Sequence, residues 1–257
     1  MQYPRMSRTQ RLCRRSGQLG ALLTLTACLC ASTALTAATD FSGMWLPAAD
    51  LDPPLTASDL AFTAQGKAVF AAFDAKKLDS TRFCMPFGTP RNTLNTVADP
   101  LEILQRPEQL TLIFDRLGDV RRIFTDGRAA PADPIPGWMG YSTGTWEKDT
   151  LVVNTVALTS ESILTDQGIP HSETLQLQER YSLLQKNREK LLQIAMVLTD
   201  PDYYAKPLKV VRYFRPAPAV QMSAGSVTCL LDQWRSRLET INRELFQSKA
   251  APVRELK

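Results

Sequence analysis

Histidine and cysteine are almost missing from this chain. Of 257 residues one is His, at position 171, and five are Cys. Cys13, Cys28 and Cys30 stand in the first 38 residues, which leaves Cys84 and Cys229 for the remainder. Two thiols and one imidazole are too few ligands for a structural zinc site, so neither metal nor cofactor is expected. Ser142, Ser160 and Ser172 lack the Gly-x-Ser-x-Gly frame of a hydrolase nucleophile, and no Gly-rich loop is spaced to cradle phosphate. Excess charge is missing too, despite a formal +4. Residues 1–38 carry Arg5, Arg8, Arg11, Arg14 and Arg15 and no acid, so residues 39–257 hold 25 basic against 26 acidic side chains. A body with net charge −1 gives no electrostatic footprint for nucleic acid. With 44% apolar and 22% charged residues it is instead a folding, globular composition.

What is present begins with that basic leader. The Arg-rich stretch ends at Arg15, and an uncharged run containing LGALLTLTACLCASTALTAA follows, the order of a secretory signal peptide. Small residues at Thr36 and Ala38 place the cut after Ala38, leaving residues 39–257 as one β-rich domain. The Leu25-Thr26-Ala27-Cys28 run offers the alternative of a lipoprotein acylated at Cys28. Either way the expected location is periplasmic or secreted, with membrane contact only through the leader. An oxidising compartment permits a disulfide between Cys84 and Cys229, the two cysteines of the mature chain.

From Leu101 onward the pattern is that of strands. Segments 101–105, 109–115, 119–125, 143–147, 150–157, 173–183, 189–199 and 207–214 are rich in β-branched, Leu and aromatic residues. Alternation places Leu110, Leu112 and Phe114 on one face, and Leu192, Ile194, Met196 and Leu198 on another. The fold class expected is all-β, an antiparallel meander with a helix near 58–73 and another near 227–247. The second carries the stripe Val227, Leu230, Leu231, Trp234, Leu238, Ile241 and Leu245, a surface for self-association as well as for packing. The gaps 126–142 and 158–172 are expected as loops at one rim, where function concentrates.

Two resemblances add to this. Asp40-Phe41-Ser42-Gly43-Met44-Trp45 resembles the opening Gly-x-Trp of lipocalin-like barrels, which implies that Trp45 closes one barrel end with Arg212 or Arg215 on its ring. The ordered motifs CMPFGTPR (84–91), TDGR (125–128), GTWEKDTLVV (144–153), GIPHSE (168–173) and ERY (179–181) resemble a family of secreted bacterial proteins without an assigned reaction. That likeness implies a secreted single domain. Where such proteins often carry His, Gly-Asp and Val-Val-Asp, this chain has Tyr141, Lys148-Asp149 and Val153-Asn154.

The candidate chemistry is sparse. His171 and Glu173, two residues apart, face one side in an extended segment and there form an acid/base dyad, with Tyr141 as a third candidate. Glu179, expected to point inward between Leu177 and Tyr181, requires a cation from Arg121, Arg122 or Arg212. Asp126-Gly127-Arg128 reads as a turn, or as an anion clamp on the rim of His171, and Trp146 as a ligand contact. The leading function is an exported barrel whose apolar interior carries a small, partly hydrophobic molecule. A proton-moving isomerase, cyclase or lyase and an envelope structural protein are the alternatives.

Overall fold

The computed structural model describes residues 39–94, 100–115, 118–186, 188–217 and 238–239. The leader with Cys28, as well as Cys229, lies outside the described residues. Of the expected helix at 227–247 only Leu238 and Glu239 are described, and both are helical.

Nine strands form a closed barrel: β1 (Gly43–Pro47), β2 (Leu101–Arg106), β3 (Gln109–Phe114), β4 (Val120–Phe124), β5 (Tyr141–Glu147), β6 (Thr150–Val156), β7 (Gln176–Lys186), β8 (Glu189–Thr199) and β9 (Leu208–Ala217). Each of the eight expected segments corresponds to one of β2–β9. Between β1 and β2 lie α1 (Ala64–Ala72), α2 (Ala75–Leu78) and α3 (Arg91–Leu94). The expected helix near 58–73 is broken, because Phe62 pairs as a single bridge with Tyr204 between a short turn at Ala57–Asp59 and α1. Thr63 caps α1, its hydroxyl accepting from the Gly66 N–H at 3.0 Å. Gly66 is obligatory there, since a Cβ would stand 2.2 Å from the Tyr203 carbonyl oxygen.

The expectation of a wholly antiparallel sheet is corrected at one joint. In a pure meander the ninth strand runs with the first and would close against it in parallel. Here β1 and β9 are antiparallel, and β4 and β5 are the parallel pair, joined by Ile123↔Ser142 and Phe124↔Thr143 only. We call the end where β1 finishes and β7 begins the upper end. The connection 125–140 therefore leaves β4 at the lower end and enters β5 at the upper end. The β6–β7 connection, 157–175, lies there, whereas Thr125 leaves β4 at the lower end, its N–H donating to the Glu108 carbonyl at 2.8 Å. The two long loops thus do not start from one rim.

Inward faces follow the alternation read from the sequence. Leu110, Leu112, Leu192, Ile194, Met196 and Leu198 are at most 1% exposed. At the lower end Phe41 stacks on Trp146 with centroids 5.6 Å apart, and the Trp45 indole N–H donates to the Phe41 carbonyl at 2.9 Å. The cation over the Trp45 ring is Lys190, 5.8 Å from its centroid. Arg215 is held instead by Asp50 and Glu189, and Arg212 by the Leu94 carbonyl.

Candidate functional site

The barrel's middle layer is polar and full. From β4, Arg121 donates through Nη1 to Glu179 Oε1 (3.0 Å), through Nε to Ser142 Oγ (3.2 Å) and through Nη2 to Thr155 Oγ1 (2.8 Å) and Glu179 Oε2. The Tyr181 hydroxyl donates to Glu179 Oε1 at 3.1 Å. Arg121, Glu179 and Tyr181 are fully buried. Burial opposes the guanidinium charge, and Glu179 and Tyr181 together more than restore it, raising the Arg121 pKa; burial pushes the Tyr181 phenol well up. Arg121 is thus the cation that Glu179 requires. Both carboxylate oxygens are satisfied from within the barrel, so the network holds β4, β5, β6 and β7 in register and offers nothing to a ligand.

The other candidates are scattered. His171 is 1% exposed at the upper end. Its Nδ1 meets the Ser172 carbonyl oxygen at 3.0 Å, and a carbonyl only accepts, so Nδ1 carries the proton and Nε2 is a bare acceptor without a partner among the described residues. Burial lowers its pKa, against smaller opposite pulls from the Ser172 carbonyl and Asp200. Glu173 is exposed, accepting from the Ser160 hydroxyl at 3.3 Å. The expected dyad is not formed, because residues 172–175 turn rather than extend. The Ser172 carbonyl accepts the Leu175 N–H, while Asp200 holds the Ser172 N–H at 2.7 Å and its hydroxyl at 2.8 Å.

Arg128, Asp126 and Tyr141 sit together on the outer wall. The Arg128 guanidinium lies 4.1 Å over the Phe124 ring and pairs with Asp126, and Phe124 packs on Tyr141 at 5.4 Å. Ile123 and Ser142, their inward neighbours, are buried, so strand alternation turns Phe124 and Tyr141 outward. Arg128 and His171 consequently share no pocket, and the clamp on a common rim is not built. Trp146 belongs to the lower plug.

A concave site exists elsewhere, in the wall. β1 is five residues long and covers only Phe214–Ala217 of the ten-residue β9. Above it the chain stays on β9 for one more step, the Ala48 N–H donating to the Tyr213 carbonyl at 2.8 Å and Asp52 accepting the Tyr213 N–H at 3.0 Å. It then departs through Pro53 and Pro54 and returns at Ala61, whose carbonyl accepts the Ala205 N–H at 2.8 Å. Between these contacts a groove of about 550 Å³ opens, walled by Leu51, Pro54, Leu55, Leu60, Leu208 and Val210. Lys206, Lys209 and Arg212 also line it, with Asp59 as the acid on the opposite wall.

Arg212 is the singular group. It is 3% exposed; Nε donates to the Leu94 carbonyl (3.1 Å) and Nη1 to the Val211 carbonyl (3.0 Å), and Nη2 has no partner among the described residues. Among the described residues no carboxylate stands within ion-pair distance of it. Burial lowers its pKa, and the charge of Asp52 opposes that less strongly. Asp52 is itself buried, which raises its pKa against the pull of the Tyr213 N–H and Arg212. The sequence alone offers Arg212 as a partner for Trp45 or Glu179 and assigns residues 46–55 no role. The signal that bears on the groove was Leu51-Asp52-Pro53-Pro54-Leu55, where consecutive prolines forbid continued ladder pairing. Compared with protein-family models and with curated proteins, the chain matches none.

Proposed function

We propose that this protein is an exported binding or carrier barrel for a small, partly hydrophobic anion, seated in the wall groove along β9 instead of the barrel interior. The observation that carries the reading is Arg212, a nearly buried guanidinium whose Nη2 has no partner among the described residues, on a groove whose walls are mainly Leu, Pro and Val. A buried cation that no carboxylate among the described residues meets within ion-pair distance is costly, and a ligand carboxylate relieves it with charge-assisted bonds. The volume suits a small ligand, and Lys206 and Lys209 add positive potential. The basic leader and the short apolar run behind it support export, and the pairing of Cys84 with Cys229 belongs to the same proposal.

Calorimetric titration with decanoate and with decanol tests the reading. The acid is expected to bind at least tenfold more tightly than the alcohol, and Arg212→Gln to remove that preference. Absence of binding by either probe, or equal binding of both by the parent protein, refutes it.

A further inference from the structure

The groove is bounded by a broken strand path, and this says more about the ligand than its volume does. Along the free side of β9 the chain pairs at both limits of the window, at Tyr213 below and at Ala205, with the Phe62↔Tyr204 bridge, above. Between them Leu208–Arg212 pair with β8 alone among the described residues. The N–H and C=O of a strand residue lie on one side and alternate along the chain. Tyr213 presents both groups away from β8, so Val211 and Lys209 do the same. The Val211 carbonyl is taken by Arg212 Nη1, which brings the guanidinium to this edge. The Val211 N–H, the Lys209 N–H and the Lys209 carbonyl have no partner of their own among the described residues.

Resting on the reading of the groove as an anion site, we infer that its ligand is an extended peptide ending in a free carboxylate, which pairs with the open edge of β9 and places that carboxylate on Arg212. The register follows from the chemistry of the edge. In a parallel pair one residue donates its N–H to the carbonyl of a residue on the neighbouring strand and accepts from the N–H two residues further on. A ligand residue opposite Val210 donates to the Lys209 carbonyl and accepts from the Val211 N–H. The next rung would need the Val211 carbonyl, which Arg212 already occupies, so the ladder ends there. The ligand's following residue is therefore its last, with its carboxylate beside Nη2. At about 3.3 Å per residue, the stretch from Lys209 to Arg212 takes roughly four ligand residues. The penultimate side chain falls on the inward, apolar face of Val210, and Lys206 and Lys209 supply the complementary charge. A hydrocarbon acid fills the apolar volume but leaves the three edge groups without ladder partners.

The experiment titrates the protein with four probes: decanoate, acetyl-Ala-Leu-Val-Leu as the free acid, the same peptide as its C-terminal amide, and the free acid N-methylated at the penultimate Val. The free acid is expected to bind at least tenfold more tightly than either modified peptide. An amide that binds equally overturns carboxylate capture; an N-methylated peptide that binds equally overturns strand pairing. Either result overturns the inference. Binding of decanoate with none of the peptides overturns it while leaving the anion groove intact, and binding of no probe removes both. Light scattering runs in parallel: a dimer that decanoate dissociates assigns the groove to a second copy of the chain and overturns the inference.

Discussion

Because His171 is the sole histidine, its burial has a consequence that no other group can mimic. In the folded chain the imidazole is 1% exposed, with Nε2 facing no partner among the described residues, and burial holds its pKa below the ordinary 6.5. The unfolded chain takes up a proton as pH falls through 6.5 and the folded chain does not. Stability attributable to His171 is therefore complete above 6.5 and lost as pH falls from there toward the lower folded value. For an imidazole that stays neutral when folded, the loss at about pH 5.5 is on the order of 1 kcal/mol. The measurement is urea unfolding at about pH 7.5 and 5.5 for the parent and for His171→Gln. The carboxylates, including Asp52 and Asp119 whose pKa values burial raises, titrate alike in both proteins and cancel in the difference. The parent is expected to lose about 1 kcal/mol more than the variant, and its single imidazole resonance to stay flat through pH 6.5. Parallel stability curves, or a native resonance that titrates at or above 6.5, refute the reasoning.

Removing one partner of the central ion pair is expected to be severe. Glu179→Gln leaves Arg121 charged and fully buried, at a cost of about 3–5 kcal/mol in urea unfolding. The double change Arg121→Met with Glu179→Leu is expected to recover most of that loss, and failure to recover any would show that the pair does more than satisfy itself. For the cysteines, thiol counting on denatured, unreduced protein recovered from the proposed periplasmic location is expected to find none free at Cys84 and Cys229. Two reactive thiols would remove the proposed bridge.

Strands were the legible part of this fold because each carries its own alternation. Leu192, Ile194, Met196 and Leu198 declare an inward face without reference to any neighbour, and all are buried. The inward Glu179 was legible for the same reason, between Leu177 and Tyr181. The acid/base dyad failed because it assumed that residues 171–173 extend, whereas Asp200, 28 positions away, captures Ser172 and turns the chain. The shared rim failed on direction. Nothing local in residues 125–140 says that they climb the barrel instead of capping it; that follows from the parallel β4–β5 contact, which only the closed sheet reveals. Arg212 was visible as a late-strand cation, and its isolation was not, since that depends on where β1 stops.

The parity of the barrel and the location of the groove are connected. Nine strands that close antiparallel at β1 and β9 must contain a parallel joint, and the shortest contact in the wall, two residue pairs between β4 and β5, is that joint. A second thin seam is that of β1 with β9, four residue pairs, beside the three of β1 with β2. At the first, the interior side is sealed by Arg121, whose reach across to Ser142, Thr155 and Glu179 ties β4 to β5, β6 and β7 where the ladder between β4 and β5 is thin. The second has no such seal. Arg212 occupies the corresponding inward position on β9, but among the described residues no carboxylate meets it within ion-pair distance, and the chain that would have continued β1 turns outward at Pro53 and Pro54. A buried guanidinium that closes one seam through a protein carboxylate is left at the other seam with room for a carboxylate from outside. On the proposed reading, binding therefore belongs to the wall, because the interior polar groups of Arg121, Ser142, Thr155 and Glu179 already hold the barrel shut.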